Sequence, residues 1–189
     1  MRVLIAEDET LVRLDLRAIL ERAGHDVVAE ARDGEEAVAL ARAHAPDIVV
    51  VDVEMPRLDG IEATRRILAE RPVPIVVVTA YGRRELVARA ADVGVFAYLL
   101  KPFREHDVAP ALATALARHA ELAERRAEVA SLREATEART SIERAKSLLM
   151  AREGLTEQDA FARLRRASQV SGRPMKVIAE AVVATLAGG

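Results

Sequence analysis

A chain of 189 residues has room for one large domain or two small ones, and with 51% hydrophobic residues it can bury a substantial core. Aromatics reach only 3% while Ala and Val dominate, a composition suited to helices packed closely through small side chains. The formal net charge of −2 excludes a strongly basic protein, the lack of cysteine excludes disulfides and thiolate metal sites, and His25, His44, His106 and His119 are too scattered for a zinc motif.

The chain opens on a β-rich run, Val3-Leu4-Ile5-Ala6, that meets Glu7, Asp8 and Glu9 at once. No signal peptide does this. The longest apolar runs, residues 48–51 and 75–78, are far too short to span a bilayer, so a soluble cytoplasmic protein without membrane contact is expected. Residues 11–22 have helical spacing with Gly24 as a stop, and residues 27–29 are a second strand candidate. Residues 34–44 read as a helix, and after Pro46 the run 47–53 is apolar almost throughout, as a strand covered on both faces should be. A helix over 61–71, a strand over 75–78, a helix over 84–93 ending at Gly94, and a strand over 97–100 complete the alternation. Strands alternating with short helices predict an α/β fold: a flavodoxin-like five-stranded parallel sheet with its ligand site at the carboxyl ends of the strands.

Beyond Phe103 the character changes. Only Pro110 interrupts a helix-favouring stretch from 105 to about 150, with Leu112, Leu116, Val129 and Leu132 at roughly helical or heptad intervals. A helix of that length either breaks or packs against a second chain; a solvated connector and a dimeric coiled coil are both compatible with so few strong apolar residues on the seam. Gly154 then stops a helix, and Thr156-Glu157-Gln158-Asp159 resembles a capping box with Asp in place of Glu. Phe161, Leu164 and Ala167 supply the next apolar stripe, which assigns Phe161 to the core and leaves no aromatic stacking platform. After the turn at 171–174, Met175, Ile178, Val182 and Leu186 mark a last amphipathic helix, so a long helix leads into a small three-helix bundle.

The polar residues collect after the strands. Glu7 and Asp8 follow the first, Asp52 ends the third, Thr79 ends the fourth, and Lys101 precedes Pro102 after the fifth. Three acids in one crevice repel one another unless a divalent cation neutralises them, and Mg2+ suits oxygen ligands beside a phosphate. The segments Ile5-Ala6-Glu7-Asp8, Val51-Asp52-Val53-Glu54-Met55-Pro56, Val78-Thr79-Ala80 and Leu100-Lys101-Pro102-Phe103, in that order, resemble the receiver domain of two-component response regulators. The resemblance implies Asp52 as phosphoacceptor from a sensor histidine kinase, with Mg2+ held by Asp8, Asp52 and the Glu54 backbone carbonyl and, through water, by Glu7. It implies Lys101 and Thr79 as phosphoryl-binding groups and Tyr98 as the aromatic switch, for which a half-buried core tyrosine is the plainer reading. Glu54 and Tyr81 flank the site and would set the lifetime of the acyl phosphate. Apart from this phosphotransfer chemistry the chain is expected not to be an enzyme.

Between Ser141 and Lys176 eight basic residues face four acids, whereas residues 104–140 are nearly balanced. A local positive excess suits phosphates, although charge alone does not separate RNA from DNA or from a protein. The segments Ile142-Glu143-Arg144-Ala145-Lys146-Ser147-Leu148-Leu149-Met150, Gly154-Leu155-Thr156-Glu157-Gln158-Asp159-Ala160-Phe161, Leu164-Arg165-Arg166-Ala167-Ser168 and Val177-Ile178-Ala179-Glu180-Ala181-Val182-Val183 resemble an ANTAR domain, the RNA-binding module of antitermination regulators. Ser147 stands where that family often has Gly. The resemblance implies a homodimer, formed on activation, that binds paired RNA hairpins, with Ala145 and Lys146 at the RNA-facing surface and Arg165 and Arg166 contacting phosphates or bases. Arg163 and Lys176 are weaker candidates. The predicted organisation is a receiver over 1–120, a helical linker over 105–140 overlapping its last helix, and an RNA-binding domain over 138–189. A DNA-binding or protein-interaction output on the same receiver is the alternative.

Overall fold

The computed structural model describes residues 1–80, 94–95 and 97–187. The helix expected over 84–93 and Tyr81 lie outside the described residues. Five strands form one parallel sheet: β1 (Arg2–Ala6), β2 (Asp26–Ala31), β3 (Ile48–Asp52), β4 (Ile75–Ala80) and β5 (Ala97–Lys101), in the order β2-β1-β3-β4-β5. Around it lie α1 (Thr10–Arg22), α2 (Gly34–His44) and α3 (Gly60–Glu70), followed in the chain by α4 (Glu105–Glu153), α5 (Glu157–Ser171) and α6 (Met175–Ala187). The order is the flavodoxin-like one, with the progression of strands across the sheet reversing between β1 and β3.

Period-two alternation puts each strand in two cores at once. Val3 and Ile5 of β1 join Val50 and Val76 on the face covered by Leu16, Ile19 and Leu20 of α1 and by Val108 and Leu112 of α4. Leu4, Val49, Val51 and Val77 point the other way, onto Ala37 and Ala41 of α2 and Ile61 and Ile67 of α3. The central strands are therefore apolar except near their ends, at Arg2, Asp52 and Thr79, while edge strand β2 carries Asp26 and Glu30. Strand β2 runs two residues beyond its expected end because the Glu30 carboxylate is answered by Arg17 at 2.7 Å and Arg13 at 3.5 Å. Asp33 and Asp59 cap α2 and α3, accepting from the backbone N–H groups of Glu36 at 2.9 Å and Glu62 at 2.7 Å.

The long stretch after Phe103 is one unbroken helix of 49 residues; Pro110, near its start, removes one backbone hydrogen bond without ending it. The chain divides into two compact units, Met1–Ala123 and Glu124–Gly189. In the second, Ala145 and Leu149 of α4, Ala160 and Leu164 of α5, and Ala179 of α6 form a small core, with Ile142, Leu155, Ile178 and Val182 packed around it. Gly154 and Gly172 turn the chain at φ 69° and 66°, a left-handed backbone that a side chain would strain. Thr156 caps α5: its hydroxyl accepts from the Asp159 N–H at 3.2 Å and donates to Asp159 Oδ2 at 2.6 Å. Among the described residues no helix is long and apolar enough to cross a membrane.

Candidate functional site

Parallel register brings the polar strand ends to one edge of the sheet. Ala6 lies level with Val51, Asp52 with Val78, Thr79 with Leu100, and Ala80 with Lys101. Glu7 and Asp8 therefore emerge beside Asp52, and each of the three offers a carboxylate oxygen within 4.8 Å of the others. Glu7 and Asp52 are buried, whereas Asp8 is exposed at the rim. Lys101 Nζ donates to Asp52 Oδ2 at 2.8 Å and lies 2.8 Å from Glu7 Oε2. That second contact is a buried ion pair and Oε2 has no other partner among the described residues, while Oε1 accepts from the Glu9 N–H at 3.2 Å.

One ammonium among three carboxylates leaves negative charge unbalanced in a largely dry place. Burial pushes the Glu7 carboxyl up to about 7, the Lys101 hydrogen bond opposes this, and the Asp52 charge adds to it. Burial alone would lower the Lys101 ammonium, but the hydrogen bonds and charges of Asp52 and Glu7 outweigh it and raise it above the ordinary lysine value. Three carboxylates that share a single ammonium, one of them with a buried oxygen met only by Lys101 among the described residues, form an all-oxygen cluster that fits a hard divalent cation, so Glu7, Asp8 and Asp52 could hold a metal ion.

Two neighbours of this cluster carry little signal in the linear sequence. Arg13, on α1 and buried, donates from its guanidinium to the Glu7 carbonyl at 2.7 Å and reaches the Asp8 carbonyl at 3.4 Å. It thereby braces the backbone that presents both acids; an arginine on the inner face of an amphipathic helix was the only hint of it. Gly60 opens α3 so close to β3 that an added Cβ would lie 1.8 Å from the Asp52 carbonyl oxygen. Its N–H donates to the Val53 carbonyl at 2.9 Å. Thr79 is buried at the end of β4, and Glu54 is exposed in the loop after β3. Tyr98 is half-buried against the core on the α2 and α3 side, with its phenol raised by that burial.

The second unit corrects several expectations. Ala145 does not face outward: it is 0% exposed, at the centre of the three-helix core. Lys146 is nearly buried too, and its ammonium is held by Glu157 Oε1 at 2.6 Å and both Glu143 oxygens at 3.0 Å. Ser147 is exposed and donates to the Glu143 carbonyl at 3.0 Å, so it sits at no close helix contact. Arg165 and Arg166 are both exposed on α5. Phe161, expected in the core, is 42% exposed: the buried stripe of α5 runs through Ala160 and Leu164, and one residue of helix turns Phe161 about 100° away.

The response regulator receiver domain family matches residues 3–113, and the ANTAR domain family matches residues 130–183. The chain belongs to the response regulators, with a receiver domain followed by an ANTAR domain. It is 50% identical over 185 residues to the transcriptional regulatory protein PdtaR of Mycobacterium tuberculosis, an alignment covering 98% of this chain and 90% of that protein. It is also 38% identical over 112 residues to the chemotaxis protein CheY of Thermotoga maritima, covering 59% of this chain and 93% of that one. Among solved structures, the receiver domain of NarL from Mycobacterium tuberculosis superposes with a TM-score of 0.56 at 30% identity, covering 59% of this chain and 91% of that one. A CheX–CheY complex with BeF3 and Mg2+ from Borrelia burgdorferi gives a TM-score of 0.57 at 29% identity, covering 59% and 86%.

Proposed function

We propose that this chain is a transcription antiterminator whose receiver takes a phosphoryl group on Asp52 and whose helical output then binds RNA hairpins. The observation that carries the reading is the Lys101–Asp52 pair beside Glu7 and Asp8, at one edge of a parallel sheet, in a chain that also has an ANTAR domain. Residues 1–120 act as the receiver, 105–140 as the connecting helix and 138–189 as the output.

Asp52 is the nucleophile. One of its carboxylate oxygens attacks the phosphorus of a phosphohistidine on a sensor histidine kinase; the P–N bond breaks and its electron pair leaves with the imidazole nitrogen. Asp8, Asp52 and the Glu54 backbone carbonyl, with Glu7 through water, would hold Mg2+, which would supply positive charge to offset that on the phosphoryl group; the Mg2+ in the similar CheX–CheY complex supports this. Lys101, already 2.8 Å from Asp52, adds a fixed charge on the same oxygens. The Thr79 hydroxyl, at the adjoining strand end, donates to the phosphoryl group, and Tyr98 reorients with it. The regulator works in the cytoplasm, where phosphorylation favours a homodimer and Arg165 and Arg166 meet RNA.

The test is direct. Incubation with a small-molecule phosphoryl donor and Mg2+ retards the wild-type chain on a phosphate-affinity gel, and Asp52→Asn does not shift. The phosphorylated protein then binds a two-hairpin RNA more tightly than duplex DNA at matched salt. Phosphate on another residue, or equal binding to duplex DNA, overturns the reading.

A further inference from the structure

We propose that Phe161 and Arg165 of α5 form a clamp for one unpaired nucleobase of RNA, with Arg166 on the adjacent phosphate. The inference rests on the reading that the output unit binds RNA hairpins, and it adds the side chains that hold a loop base. Phe161 is one of three phenylalanines in the chain, yet the core of its unit excludes it and leaves the residue 42% exposed. Arg165 follows one helical turn later, the spacing at which side chains on a helix meet. Both line a surface groove with Arg166, Gln169, Arg163 and Asp159.

Charge pairing sorts the basic residues of this unit into two kinds. Lys146 is held by Glu143 and Glu157, Arg163 by Glu153, and Lys176 by Glu137, so these hold the bundle together. Arg165 and Arg166, like Arg144, Arg152 and Arg173, form no ion pair with any described residue, and of these five only Arg165 and Arg166 line the groove with Phe161. Two adjacent unpaired guanidiniums beside an exposed ring suit an anion that also carries a flat face, and a nucleotide is both. The Phe161 ring offers one stacking surface and the Arg165 guanidinium plane the other, the arrangement by which proteins hold bases in loops. Paired A-form bases are closed to such a clamp, so the target is a hairpin loop. Asp159, the acid of the groove, is fixed by its bond from the Thr156 hydroxyl at 2.6 Å. A second copy of this chain is the poorer occupant: a two-fold contact through this face would set arginines against arginines.

The experiment uses the full phosphorylated chain and a two-hairpin RNA carrying 2-aminopurine at successive loop positions. With wild type, the fluorescence of one loop position is quenched on binding. Phe161→Leu, which keeps apolar bulk without a π face, weakens binding roughly ten- to hundredfold, removes that quenching and leaves the melting temperature unchanged. Phe161→Trp restores both. Arg165→Lys retains charge but not the plane and loses the quenching, while Arg166→Ala lowers the salt dependence by about one counterion. Wild-type affinity and quenching in Phe161→Leu overturn the clamp and leave RNA binding standing. A change of sedimenting mass in Phe161→Leu without a change in RNA affinity makes the face a chain–chain contact and also overturns it. No RNA binding by wild type removes the clamp together with the reading beneath it.

Discussion

Arg13 shows how a residue outside the carboxylate cluster can hold a site together. Its guanidinium grips the Glu7 carbonyl at 2.7 Å, and Glu30 lies 3.5 Å from it on the other side. Removing a cation near a metal site would by itself strengthen metal binding. Here the guanidinium sits on the Glu7 and Asp8 backbone carbonyls, and Glu30, shared with Arg17, offsets part of its charge, so loss of the brace dominates: the acid-bearing turn must be ordered anew whenever a cation binds. Arg13→Met is expected to weaken Mg2+ binding about tenfold, or ~1.4 kcal/mol, with Arg13→Lys intermediate. Unchanged Mg2+ affinity by calorimetric titration would show that the turn stands without the brace. At Lys146 the opposite correction holds, because a cation read as an RNA contact is committed to Glu143 and Glu157. Lys146→Ala is expected to lower thermal stability while leaving the salt dependence of RNA binding unaltered.

Among the elements, the approach of α3 to β3 is the tightest constraint on the site. A methyl group at Gly60 would meet the Asp52 carbonyl oxygen at 1.8 Å, so either the helix start or the strand end must move. Gly60→Ala should cost about 1–3 kcal/mol of receiver stability and slow phosphoryl uptake, seen as a lower melting temperature and a weaker phosphate-affinity gel shift. A melting temperature equal to wild type would mean that the two elements separate freely. In the second unit the cap of α5 is the corresponding point. Thr156→Ala removes the side chain bonded to the Asp159 N–H and should cost about 1 kcal/mol, read as faster amide hydrogen exchange in the first turn of α5. The strands and most helix boundaries could be expected from alternation, caps and glycine stops, because those signals act within a few residues. Strand β2 ran longer than its propensity suggested because Arg13 and Arg17 come from another element to neutralise Glu30.

For the whole molecule, the proposal makes mass the observable: sedimentation with and without a phosphoryl analogue at Asp52 should show a shift from monomer towards dimer. The same mass in both conditions would remove dimerisation as the link to RNA. The receiver was legible in the linear chain because its chemistry sits at strand ends, where short apolar runs stop at an acid, a threonine or a lysine. Once the strands are placed, parallel register leaves Glu7, Asp8, Asp52 and Lys101 nowhere to go but one edge. The helical output was different. Its motifs announced the bundle, yet which residues face outward depends on helix phase, and neighbouring positions differ by about 100°. Only packing decided that Ala145 is core, that Lys146 is tied down, and that Phe161 is left in solvent beside two unpaired arginines. Likewise no local pattern could pair Arg13 with the Glu7 carbonyl, because that contact exists only after α1 has folded back on β1.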